Sequence, residues 1–102
     1  MRIRIRRLGG IAGNIALAAE LDTADLPTGE AALLEDAVDA LPFDVPAGEP
    51  PHADAFRYEV GLPDEPARGT AVLHEGQLVA GLDPLRTHLK QHGVIEPGGR
   101  RR

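Results

Sequence analysis

The chain opens on strict alternation. In Arg2-Ile3-Arg4-Ile5-Arg6 the isoleucines recur at every second position, the period of a strand with one face buried and one in water. The same period returns over Asn14–Leu21, with Ile15, Leu17, Ala19 and Leu21 on one side and Asn14, Ala16, Ala18 and Glu20 on the other. Gly9, Gly10 and Gly13 lie between. Two alternating segments around a Gly-Gly pair predict a β-hairpin. The period then lengthens. Leu33, Leu34, Ala37, Val38 and Leu41 fall at helical spacing, and Glu30, Glu35, Asp36 and Asp39 line the opposite side. Thr28 is the expected N-cap of this helix, Leu26 an apolar staple onto its first turn, and Pro42 its end.

Residues 42–53, PFDVPAGEPPHA, form a proline-rich connection too short to separate two domains. Alternation resumes over Asp54–Leu62, where Phe56, Tyr58 and Val60 oppose Ala55, Arg57 and Glu59. A turn at 63–69 leads to a fourth strand, Thr70–Glu75. Leu82-Asp83-Pro84 opens a second helix, with Asp83 as N-cap, Pro84 at the first helical position, Leu85 and Leu89 on the buried side and Gly93 at its end. The expected fold is α+β: one domain over residues 1–95 in the order ββαββα, a four-stranded, mostly antiparallel sheet with two helices on one face. Residues 96–102 are expected to be a disordered basic tail.

Composition narrows the picture. A chain of 102 residues holds one modest core, and with 3% aromatic residues that core is aliphatic. Cysteine is absent, which excludes disulfides, thiolate catalysis and Cys-based zinc sites. The net charge of −5 is unevenly spread. Four arginines crowd residues 2–7, no Lys or Arg follows from Leu8 to Phe56, and Arg100, Arg101 and Arg102 end the chain. An acidic body disfavours nucleic-acid phosphate and anionic membrane. Arginines followed by apolar residues also outline a secretory signal, but a signal's apolar segment runs about 7–15 residues without a break. Asn14 and the glycines break it here, so the expected compartment is the cytoplasm.

Candidate chemistry is sparse. Serine is absent, and the hydroxyls of Thr23, Thr28, Thr70, Thr87 and Tyr58 stand in no nucleophile motif. His88 and His92 have the i, i+4 spacing that can hold zinc, but no third ligand is evident and no Glu follows His88 as a metalloprotease motif requires. The GGIAG glycines lack the spacing of a phosphate loop. No cofactor and no metal is expected, and the chain reads as a non-enzyme.

One pattern is more specific. The strand leading into Arg7-Leu8-Gly9-Gly10-Ile11-Ala12-Gly13, then Leu21-Asp22-Thr23 with Leu26 before an acidic Leu-rich helix, then Asp54-Ala55-Phe56-Arg57-Tyr58-Glu59-Val60, and finally Leu82-Asp83-Pro84-Leu85 with Leu89, together resemble the emfourin family, the protealysin inhibitors of bacteria and archaea. The resemblance covers residues 1–92 or so. It departs at His52-Ala53, where the family's proline-aspartate pair would place a proline. It implies an inhibitor of thermolysin-like zinc metallopeptidases, encoded beside its target. On that expectation the hairpin tip, Arg7, Gly9, Gly10, Ile11 and Gly13, meets the peptidase: glycines let the backbone approach a cleft closely and Ile11 offers an apolar anchor. Leu26, Asp64, Glu65 and Arg68 are secondary contacts. The alternative is a small binding module that uses the arginine strand for nucleic acid or another acidic partner. A monomer is favoured, with no nucleic acid and no membrane as partner in the leading reading.

Overall fold

In a computed structural model of the chain, which describes residues 1–9, 16–45, 48, 55–77 and 79–96, the alternating start becomes strand β1 (Arg2–Gly9). Next come β2 (Ala16–Asp22), α1 (Thr28–Asp39), β3 (Phe56–Gly61), β4 (Thr70–His74), α2 (Asp83–His92) and β5 (Val94–Glu96). The described strands make one sheet in the order β4-β3-β1-β2-β5, every pair antiparallel. The expected sheet of four strands is therefore corrected to five, and the order ββαββα to ββαββαβ. β5 has only three residues and no alternation long enough to read. It exists because the outer edge of β2 accepts it, Leu17 opposite Ile95 and Ala18 opposite Val94. It also takes in Glu96, the first residue of the expected tail; residues 97–102 lie outside the described ones.

β1 runs through the middle of the sheet, so its apolar residues are covered from all sides. Ile3 faces Leu21 on β2, and Ile5 faces Ala19 on β2 and Val60 on β3. Ile3, Ile5 and Val60 are fully buried, and with Leu21, Tyr58, Ala71 and Leu73 they meet Leu34 and Val38 of α1, Leu85 and Leu89 of α2, and Leu82 just before α2 in a single core. Both helices thus serve the same sheet face.

The helices depart from the sequence expectation in detail. Thr28 and Asp83 are the first residues of their helices rather than the caps; Pro27 and Leu82 hold the cap positions without a side-chain bond. Leu33, expected on the buried stripe, is 65% exposed. The stripe in fact runs through Leu34, Ala37, Val38 and Leu41, where α1 meets α2 and the short turn Ala80–Leu82, and Leu33 falls one position off its edge. α1 also ends with acids, which oppose the helix dipole. Arg68 answers this: its Nη1 lies 3.1 Å from Asp39 Oδ1, and its guanidinium stacks 4.6 Å over the Phe43 ring. Phe43 bridges Ala71, and Asp44 N–H donates to Thr70 O, so a strap closes the outer edge of β4. Gly69 allows this with φ +80; a Cβ there would fall 1.9 Å from Asp44 Oδ1.

Candidate functional site

The alternation of β1 breaks at Arg6-Arg7. Strand geometry puts Arg2, Arg4 and Arg6 on the face away from the helices but carries Arg7 onto the same face as Ile3 and Ile5, opposite Leu17 of β2 and Tyr58 of β3. Leu8 takes the outer face and is buried there, as are Ala16 and Ala18. The two faces of the sheet thus exchange character toward the hairpin.

On the outer face the arginines meet acids of neighbouring strands. Arg2 bonds Glu20, and its Nη1 lies 3.4 Å from Asp64 Oδ1. The hydrogen bond from Arg2 to Glu20, followed by the charges of Glu20 and Asp64, holds the Arg2 guanidinium above its usual range. Arg6 Nη1 is 2.9 Å from Glu59 Oε1, its direct cross-strand neighbour, and Arg57 Nη2 is 3.2 Å from Glu59 Oε2. Glu20 and Glu59 interrupt any continuous basic stripe, which weakens the expectation of nucleic-acid binding on this face.

The expected site residues separate into two groups. Antiparallel register sets Gly9 beside Phe56 at one end of the sheet, and Gly61 beside Arg4 toward the other. The turn carrying Asp64, Glu65 and Arg68 leaves from Gly61, and Leu26 follows β2, so these four lie at the end away from Gly9. The length of β1 separates the ends by about 23 Å, in a domain measuring 37 × 26 × 25 Å. Gly10, Ile11 and Gly13 lie outside the described residues, in the connection that leaves the Gly9 end.

The two groups also differ in how far they are engaged. Asp64 pairs with Arg2, and Arg68 with Asp39, with Glu65 at 3.7 Å and with the Phe43 ring. Leu26 packs partly buried against the core, and its N–H donates to Thr23 O, closing the short turn Thr23–Asp25. Gly9 has φ +96, and a Cβ on it would come 2.6 Å from Ala55 O, so the close approach of β1 and β3 requires glycine. Arg7 has the Phe56 ring as its contact, 4.6 Å from guanidinium carbon to centroid, and makes no ion pair among the described residues.

Around Arg7 lies a surface that sequence reasoning did not single out. A cleft of about 380 Å³ opens between α2 and the Gly9 end of the sheet, lined among the described residues by Arg7, Phe56, Tyr58, Glu75, Arg86, Leu89 and Lys90. Two signals pointed to it: an arginine at an inward strand position, and Arg86 and Lys90 at i, i+4 on the second helix.

The histidines gather no further ligand. His88 and His92 rings lie 4.7 Å apart on α2, and no group of three His, Asp or Glu that could hold a metal occurs among the described residues. His74 Nε2 lies 3.2 Å from Gly48 O, and His52 lies outside the described residues. No helix among the described residues is long and apolar enough to cross a membrane.

Compared with known proteins, the chain matches the family model described as Emfourin over residues 5–90. No curated protein and no solved structure matches it.

Proposed function

From the premise that this chain belongs to the emfourin family, we propose that it inhibits a thermolysin-like zinc metallopeptidase and has no catalytic activity of its own. The observation that carries this reading is the family match, which spans both helices and β1 to β4 almost in full. The family resemblance suggests a protease-inhibitor role; the class of peptidase and the contact surface are our reading.

The contact is made by the Gly9 end, through Arg7, Gly9 and the connecting residues Gly10, Ile11 and Gly13. In support, the competing surface at the opposite end is occupied by its own ion pairs, Arg2 with Asp64 and Arg68 with Asp39. An acid or arginine already paired must surrender that partner to meet a peptidase, which offsets most of the gain. Arg7 and Gly9 belong to the central strand of the sheet and are ordered before any partner arrives, so presenting them carries little additional entropy cost. Occupying the cleft also blocks the hinge closure on which such enzymes depend.

The test is a titration of a thermolysin-like peptidase with the intact chain, following hydrolysis of a short peptide substrate. Stoichiometric loss of activity is expected, with the inhibitor remaining uncleaved. Full activity at excess chain refutes the proposal.

A further inference from the structure

The cleft at the hairpin end has a charge that its surroundings do not explain. The chain is acidic overall, at −5, yet among the described residues the lining carries Arg7, Arg86 and Lys90 against the one carboxylate of Glu75. Arg7 stands in the row Leu73-Tyr58-Arg7-Leu17-Ile95, which crosses all five described strands on the helix face. An apolar side chain in that row would extend the core. An arginine there accepts partial desolvation, which favours a position where an anion can reach it.

The local contacts leave that position open. The Arg7 guanidinium carbon lies over the Phe56 ring at 4.6 Å, so the ring positions it before any ligand arrives. Neither Arg7 nor Lys90 makes an ion pair among the described residues. Arg86 reaches Asp83 only at 3.5 Å, with 43% of its side chain exposed. Glu75 is turned toward the backbone, its Oε1 accepting Phe56 N–H at 2.7 Å.

We propose that this cleft docks a carboxylate side chain presented by an acidic segment of a partner protein. A planar guanidinium fixed on an aromatic ring suits a two-oxygen acceptor, and Lys90 supplies a mobile second charge. Phe56 and Tyr58 offer apolar floor for the short stem of Asp or Glu. The net negative charge of the chain repels the dense charge of a nucleic acid more strongly than that of a short acidic peptide, so the ligand is an acidic peptide segment rather than a nucleic acid. The cleft stands at the same end as the proposed peptidase contact, but the inference requires only a carboxylate and does not depend on the partner being a peptidase.

The experiment is an NMR titration of the ¹⁵N-labelled full chain with acetyl-tetraglutamate amide, with acetyl-tetraglutamine amide and inorganic phosphate as controls. Saturable shifts of the Arg7, Tyr58 and Lys90 amides are expected with the glutamate peptide alone. Lys90→Glu, on an exposed position, and Arg7→Met, which keeps an unbranched side chain beside Phe56, should each weaken that binding at least tenfold while leaving distant amides unmoved. No shift at millimolar peptide, equal shifts with glutamine or phosphate, or unchanged affinity in both variants overturns the proposal. If the chain binds the glutamate peptide but inhibits no thermolysin-like peptidase, the inhibitor reading falls and the cleft stands.

Discussion

Gly9 shows how little of a residue's role is visible in its type. In sequence it belongs to a run of turn glycines at a hairpin tip. In the structure it is the last residue of β1, with φ +96 and Ala55 O where a Cβ would be. Gly9→Ala should therefore destabilise the chain by about 1–3 kcal/mol, read as a lower urea midpoint with an unchanged slope. A loss confined to inhibition, at full stability, would assign Gly9 to the partner instead. Asp22 makes a second prediction. The Ala24 N–H bonded to its carboxylate holds its pKa below the ordinary 3.8. A lowered carboxylate stabilises the fold above its unfolded value and loses that effect as pH falls through its folded value. The stability gap between wild type and Asp22→Ala should be constant above about pH 5 and shrink toward pH 2, measured by urea unfolding across that range.

Among the elements, α2 and β5 are the instructive pair. Leu85 and Leu89 were legible as a buried stripe four residues apart, and both are buried. Leu89→Ala should cost about 2–5 kcal/mol in equilibrium unfolding, since the core it enters is shared by the sheet and both helices. β5 was not legible, because Val94-Ile95-Glu96 has no period to read and acquires its conformation from β2. Val94 and Ile95 bury little of their side chains: Ile95 is 69% exposed, so Ile95→Lys should change stability by no more than about 0.5 kcal/mol. A larger loss would mean that the edge is covered in solution. Helix periodicity was inexact as well. It admitted Leu33 to the stripe because a hydrophobic period reports which residues could be buried, not how wide the covering surface is.

At the scale of the molecule, the decisive fact is that the two candidate contact surfaces lie at opposite ends of β1. A single peptidase cleft engages one end. Ile11→Glu should weaken inhibition well over tenfold, whereas Asp64→Lys with Glu65→Lys should change it less than threefold, both read as inhibition constants against the same enzyme. The reverse pattern moves the contact to the 62–69 turn. Inhibition by the wild type should also weaken with added salt if the Arg7 cleft contributes, because an accessible charge pair is screened at about 10 Å in 0.1 M salt.

The sequence by itself determined the class of fold, four of the strands, both helices and the family, because hydrophobic period and turn residues are local properties that a chain carries wherever it folds. The alternation broke at Arg7, which the sequence offered only as a residue of the expected hairpin tip. The tertiary structure decided what that break means. Register placed Arg7 among core positions, β2 recruited β5, and the course of the strands set Gly9 and Asp64 at opposite ends. These are relations between residues far apart in the chain, set by which edges pair and which faces remain uncovered, and no local period encodes them.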